Sequence, residues 1–248
     1  MNSSLGNIWS VARRELSGTV SSPVAYVFVV IFLLLAAFFT FMVGGFFERG
    51  QASLLPFFGF HPWLYLFLVP AVGMRMWAEE RRSGTIELLL TLPITTGQAV
   101  VGKFLAYLII IAAALALTFP VWLTVAYLGS PDHGVIVAGY VGSLLVGASF
   151  LAVTSFTSAL TRNQVVSFIL SVVVCLFVIL CGWPPVLSLL DRIFPPGVID
   201  FVASFSVMTH FEGIQRGVLD LRDLIYFASM ILFFLCATQV VLRTRRAG

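Results

Sequence analysis

Six runs of about 20 mostly apolar residues, parted by short polar breaks, leave this chain almost no way to fold in water. They cover 24–43, 57–76, 104–128, 135–160, 165–182 and 224–242. As helices, runs of that length cross a hydrocarbon core about 30 Å thick. Hydrophobic residues make up 60% of the chain and charged ones 10%, where soluble domains carry about 25% charged residues. The mean hydropathy of +1.04 points the same way. The runs lack the alternation of barrel strands, and helices are the other structure that satisfies the whole backbone in lipid. The expected fold is all-α, a polytopic membrane protein with six transmembrane helices.

Lys and Arg set the expected orientation. With the N-terminus inside, the inner segments hold Arg13, Arg14, Arg75, Arg81, Arg82, Lys103, Arg162, Arg243, Arg245 and Arg246, against Arg49, Arg192, Arg216 and Arg222 outside. Both termini are therefore expected in the cytoplasm. The formal charge of +3 reads as a topology signal, so membrane lipid is an expected contact and nucleic acid is not. Cys175, Cys181 and Cys236 fall within apolar runs with no ligand spacing and read as apolar fillers.

The connecting segments have characters of their own. Residues 8–20 place Ile8, Trp9, Ala12, Leu16, Thr19 and Val20 on one side of a helix and Arg13, Arg14 and Ser17 on the other, which describes an interfacial amphipathic helix at 1–22. Pro23 then turns the chain into the first span. The segment 183–223 is broken by Pro184, Pro185, Pro195 and Pro196, too apolar for a free loop and too short to span, so re-entrant or surface-lying outer helices are expected there. Gly139, Ser143 and Gly147, with Ala148 and Ala152, allow close helix approach, either inside one bundle or between subunits. Thr154, Ser155, Thr157 and Ser158 are expected to bond their own helix backbone.

One dense charge cluster interrupts the hydrophobic body: Trp77-Ala-Glu-Glu-Arg-Arg-Ser-Gly-Thr-Ile-Glu-Leu-Leu-Leu-Thr-Leu-Pro93. The second span is expected to run on through Arg82 and break at Ser83-Gly84, where glycine permits a sharp change of direction. Thr85 can cap a short helix over 86–92, with Glu87 in its first turn and Pro93 ending it. Leu88, Leu89 and Leu92 would hold that helix to the membrane and leave Glu79, Glu80, Arg81, Arg82 and Glu87 to the cytoplasm. A loop that only fixed topology would need Arg and gain little from three glutamates.

Several chemistries are disfavoured. Gly97-Gln-Ala-Val-Val-Gly-Lys103-Phe104 approaches a phosphate-binding loop but puts Phe104 where magnesium needs a hydroxyl. Thr95 with Gln98 reads instead as a capping box. Glu79-Glu80 also fails the Glu-Glu-x-x-x-Arg pattern of CAAX-type proteases, because Gly84 stands at the arginine position. His61, His133 and His210 fall near the outer side, so no catalytic or metal-ligand set assembles on one face. No charged residue lies mid-span, where ion-coupled carriers place theirs.

The amphipathic N-terminal helix, the six runs, Glu79-Glu80-Arg81-Arg82-Ser83-Gly84-Thr85-Ile86-Glu87-Leu88-Leu89 followed by Leu92-Pro93, and the long outer segment together resemble the ABC-2-type permease family over essentially the whole chain. Thr209-His-Phe-Glu-Gly-Ile-Gln-Arg-Gly-Val-Leu-Asp220 is similar to permeases of the gliding-motility and nitrous-oxide-reductase-maturation types. The resemblance implies a single transmembrane domain over 1–248 in the bacterial inner membrane, non-catalytic, without cofactor or metal of its own. A separate ABC ATPase subunit would bind ATP and magnesium and receive a cytoplasmic coupling loop at 77–98. Glu79, Glu80, Arg81, Arg82, Ser83, Gly84, Thr85 and Glu87 would make that contact. A second permease half, identical or related, would face this one, with periplasmic auxiliary subunits as further partners.

The family's path between the halves maps onto Phe57, Phe60, Phe67 and Phe177, with ordinary aromatic packing as the alternative. His210, Glu212 and Arg216 would either form an outer gate or partner contact, or support the outer helices. The function implied is ATP-driven export of an unidentified substrate. The alternative is an ATPase-coupled scaffold acting on a periplasmic partner without moving cargo.

Overall fold

A computed structural model describes residues 4–48, 50, 52–85 and 94–244, and among these every regular element is a helix. In chain order they are α1 (Ser4–Val20), α2 (Pro23–Phe38) extended by a π-helical turn (Phe39–Val43), α3 (Leu55–Gly59), α4 (His61–Gly73), α5 (Arg75–Ser83), α6 (Thr96–Ala116), α7 (Phe119–Leu128), α8 (His133–Leu160), α9 (Gln164–Leu180), α10 (Pro184–Leu190), α11 (Pro196–Ala203), α12 (Val207–Gln215) and α13 (Leu221–Thr244).

The long helices begin where a short polar side chain takes up first-turn N–H groups that have no partner inside the helix. Ser22 accepts from the Val24 N–H ahead of Pro23 in α2. Thr95 and Gln98 form the expected capping box at α6. Asp132 accepts from Gly134 and Val135 at α8, and Asn163 from Val165 at α9. Asp220 accepts from the Arg222 N–H at the start of α13. The π turn after α2 closes through the Gly44 N–H donating to the Phe39 carbonyl at 2.7 Å, the i to i+5 spacing of that helix type.

Among the described residues, four helical stretches are long and apolar enough to cross a membrane: Pro23–Val43, Thr96–Leu128, His133–Leu160 and Leu221–Thr244. A fifth arises if α9 and α10, bent by 69°, count as one. The chain is thus a multi-pass membrane protein. The expected second run, 57–76, differs from the others. It is divided among α3, α4 and the start of α5, with breaks at Phe60 and Met74. Pro62 lies in the first turn of α4 and Pro70 inside it, and proline supplies no N–H to the helix ladder. At 13 residues α4 is only about 20 Å long.

Helix α8 is the axis of the bundle, packed by α4, α5, α6, α9, α12 and α13. Its small residues make those contacts possible. A Cβ on Gly139 would come within 2.4 Å of the Phe58 ring, and one on Gly142 within 2.7 Å of Ile214. The Gly139, Ser143, Gly147 stripe therefore packs inside this chain. Helix α1 lies along α6, where Gly102 admits the Val11 side chain. Val11 and Ala12 are buried there while Trp9 and Leu5 stay exposed.

Candidate functional site

Helix α5 carries the charged residues, and its attachment begins with its own backbone. At the break after α4, first-turn N–H groups lack carbonyl partners within α5. Ser158 of α8 supplies one from outside: its Oγ accepts from the Trp77 N–H at 3.0 Å and the Ala78 N–H at 3.1 Å, and donates to the Met74 carbonyl at 2.9 Å. Ser155, one turn away, accepts from the Trp77 indole N–H at 3.0 Å. Arg81 donates to the carbonyl of Ala159. Met76, Trp77 and Ala78 are buried as a result.

Ser155 and Ser158 thus depart from the expectation that the hydroxyls of this segment would bond their own helix. Thr154 follows it, donating to the Phe150 carbonyl, and Thr157 does so only in part, since its hydroxyl reaches the Thr154 carbonyl and also meets Ser171 of α9 at 2.5 Å. The difference is physical: α5 presents unpaired N–H groups to the two serines, and those need an acceptor more than the already satisfied carbonyls of α8 need a donor.

Lys103, in the second turn of α6, ties three helices together. Its side chain is 2% exposed. The ammonium lies 2.8 Å from Glu80 Oε1 of α5, 3.0 Å from Glu15 Oε1 of α1 and 3.0 Å from the Met76 carbonyl, which fills its three donors. The Trp77 ring lies below it at 4.9 Å, a cation–π distance. Arg14 approaches the same Glu15 oxygen at 3.5 Å. Sequence reasoning noted Lys103 only as a topology charge and as the end of a failed phosphate loop. The available signal was a lysine embedded in Val100-Val101-Gly102-Lys103-Phe104-Leu105, since a charge within apolar helix needs a partner.

The eight residues expected to contact an ATPase are therefore not equivalent. Glu80 and Arg81 are half-buried and engaged with α6 and α8, whereas Glu79, Arg82, Ser83, Gly84 and Thr85 are exposed. Gly84 ends α5 in the left-handed region at φ 74°, where a side chain would be strained. Ser83 and Thr85 hydroxyls meet at 2.9 Å across it. Glu87 and the short helix expected over 86–92 lie outside the described residues.

The other expected site residues are scattered. Phe57 is buried against His61, with ring centroids 4.4 Å apart, and Phe60 is half-buried against Phe39. Phe67 and Phe177 face outward, 55% and 69% exposed. His210 is buried at the far end of the bundle, 2.7 Å from Asp223 Oδ1 and 3.1 Å from the Ser204 carbonyl, and stacks on Tyr226 at 4.0 Å. It supports the packing of α12 on α13. Glu212 and Arg216 are exposed and 4.0 Å apart, too far for a strong pair.

Comparison with known proteins agrees with this architecture. The profile described as ABC-2 family transporter protein matches residues 9–242. The chain is also 30% identical over 158 residues to the Probable ABC transporter permease protein NosY of Pseudomonas aeruginosa. That match covers 58% of this chain and 57% of the relative, so it spans little more than half of that protein's length.

Proposed function

The chain belongs to the ABC-2 family of transporter proteins, and we propose that it is the permease half of an exporter driven by a separate ATPase subunit. In this reading the ATPase binds ATP and magnesium, and this chain is not itself a catalyst. The observation that carries the proposal is the two-sided character of α5. One side is fixed to α6 and α8 through Lys103, Ser155, Ser158 and Arg81, and the other offers Glu79, Arg82, Ser83 and Thr85 to a partner. A push on the exposed side therefore reaches the central helix through contacts that have little slack.

The proposal includes a six-span layout of a single domain over 1–248. The long helices and the α9–α10 pair give five crossings, and the broken 57–76 segment gives the sixth. Breaks in a span are tolerated where protein surrounds them, and α4 buries nine of its residues in the bundle. Both termini, the interfacial 1–22 helix and the 77–98 coupling loop lie in the cytoplasm of a bacterial inner membrane, and 183–223 lies outside. This follows from the bias of Lys and Arg toward the α1 and α5 end. Two halves, identical or related, enclose the path, and periplasmic auxiliary subunits dock at the outer end.

Gentle purification from native membrane, with mass spectrometry of every co-purifying subunit, tests this. An ABC ATPase at about one copy per half is expected, and Gly84→Pro combined with Glu87→Arg should release it. Consistent absence of an ATPase would overturn the proposal. An ATPase that co-purifies without supporting transport of any cargo in proteoliposomes would leave a scaffold in place of an exporter.

A further inference from the structure

The chain has three histidines, and their rings sit in three different hydrogen-bonding settings. His61 meets the Ser143 hydroxyl through Nδ1 and has no partner at Nε2 among the described residues. His133 Nδ1 accepts from the Trp122 indole N–H at 3.1 Å, so that nitrogen carries no hydrogen. His210 is the opposite case. Its Nδ1 lies 2.7 Å from Asp223 Oδ1, and its Nε2 lies 3.1 Å from the Ser204 carbonyl oxygen. A carbonyl oxygen and an ionised carboxylate only accept, and an imidazole donates to two acceptors at once only when both ring nitrogens carry hydrogen.

The surroundings favour that charged ring. The side chains of His210 and Asp223 are 7% and 14% exposed, so little water reaches their contact. Gly213 lets the carboxylate come close, since a Cβ there would lie 3.3 Å from Asp223 Oδ2. Tyr226 stacks on the imidazole at 4.0 Å and 19°, offering the ring face that attracts a cation.

Helix α12 packs on α8, α13, α3 and α9. The titratable residues of α8 are turned elsewhere, His133 to Trp122 and Tyr140 to Thr118. Helix α3 has none, and α9 brings Cys181, at its end, near Tyr226. On α12 itself Glu212 is exposed and lies 4.0 Å from Arg216, while Asp200, Asp220 and Arg222 are exposed on or beside the neighbouring helices. Among the described residues, Asp223 is therefore the charged group that meets the His210 ring.

The acceptors belong to separate pieces of the fold: Ser204 ends α11, and Asp223 stands in the first turn of α13. We propose that His210 is the pin of a proton-operated clasp, which in its doubly protonated form holds the turn between α11 and α12 to the start of α13, and which frees the Ser204 carbonyl when one proton leaves. The remaining hydrogen stays with the carboxylate, the stronger, charge-assisted contact. Nε2 then faces the Ser204 oxygen as acceptor against acceptor. The next carbonyl, Phe205, keeps the Tyr226 hydroxyl at 2.6 Å, so the turn loosens without leaving α13. Helices α10 and α11 bury no residue and follow that turn. This end of the bundle is tightest at low pH, and in the orientation proposed above the outer compartment sets its state.

The test uses the unaltered protein, with any subunits that accompany it, in nanodiscs. Nuclear magnetic resonance of isotope-labelled ring nitrogens counts the hydrogens on each histidine from about pH 5 to about pH 8, the range in which imidazole changes charge. Loss of signals in His61→Gln, His133→Gln and His210→Gln assigns the rings, any two variants sufficing. His210 is expected to hold two hydrogens at the acid end and one, on Nδ1, at the alkaline end. Hydrogen exchange over 204–212, corrected for its intrinsic pH dependence, should accelerate about tenfold across the range, the weight of one charge-assisted hydrogen bond. In His210→Gln that acceleration should vanish.

A His210 ring that holds one hydrogen at every pH would put the shared proton on Asp223 and overturn the proposal, and two at every pH would make a fixed ion pair with the same result. Both outcomes are read on unaltered His210, so they stand even if His210→Gln does not fold. Exchange that ignores the titration of the ring, or that accelerates equally in His210→Gln, would also overturn it. None of these readouts involves ATP or an ATPase, so the outcome is independent of the exporter proposal.

Discussion

The two ends of the helix bundle are held to different degrees. At the charged end, polar groups cross between helices: Lys103 joins α1, α5 and α6, while Ser155 and Ser158 join α5 to α8. At the other end, α10 and α11 have no buried residue, and Leu189, Ile193 and Phe201 are 60%, 74% and 65% exposed. That region reaches the core through α12, whose Val207, Phe211 and Ile214 pack inward, and through the His210–Asp223 contact. Interlocked polar contacts fix geometry because breaking one leaves a buried group without a partner. Apolar contacts of an exposed helix impose no such register. One end is therefore held in register by polar contacts, and at the other only the outermost helices, α10 and α11, rest without buried residues.

The largest expected effect comes from removing the cation at the charged end. Lys103→Met leaves Glu80 without its cation and Glu15 with only the exposed Arg14, and loss of one partner from a buried pair costs about 3 kcal/mol or more. Thermal unfolding in detergent should show the loss, with Lys103→Arg retaining more of the stability than Lys103→Met. A melting temperature unchanged in Lys103→Met would mean that the charged end is not held by this junction.

Next in size is Ser158→Ala. It strands the Trp77 and Ala78 N–H groups, and leaving buried donors unsatisfied costs about 2 kcal/mol. Hydrogen exchange at 75–85 should accelerate while exchange in the first half of α8 stays slow. Equal acceleration in both would show that α5 and α8 do not open separately, and would weaken the picture of α5 as an attached lever.

What could be read from the sequence, and what could not, follows the range of each interaction. The capping box at Thr95 was legible because a cap and its N–H group lie within three residues, and the start of α2 because Pro23 suits a first helical position. The packed stripe of α8 was legible as a spacing, but its use inside the chain depended on which rings, Phe58 and Phe211, arrive opposite. The division of 57–76 was hidden because apolarity says nothing about helix continuity, although Pro62 and Pro70 stood in view. The candidate site was legible as a block and not as a mechanism. Glu80 and Arg81 look like Glu79 and Arg82 in sequence, and partners on α6 and α8 separate them.

A smaller effect is expected at the opposite end. His210→Ala removes hydrogen bonds to Asp223 and to the Ser204 carbonyl, a loss of about 1.5 kcal/mol. If that end is held independently, limited proteolysis should accelerate within 184–220 while the unfolding midpoint of the bundle moves little. A large fall in the midpoint would instead make the two ends parts of one cooperative unit.

The smallest effect, and the one that separates stability from coupling, is Gly84→Ala. Gly84 holds φ at 74°, and nothing lies within 4 Å of where a Cβ would be. The substitution therefore meets no clash and only the backbone penalty of the left-handed region, about 1 kcal/mol. Because the residue sits at the exposed end of α5, that penalty can be relieved by redirecting the chain after Ser83 without opening Lys103, Ser155 or Ser158. The bundle should keep its unfolding midpoint within a few degrees, while retention of the proposed ATPase on purification should fall by more than the backbone penalty alone accounts for. Equal retention, with the midpoint also unchanged, would mean that the direction set at Gly84 is not what a partner recognises.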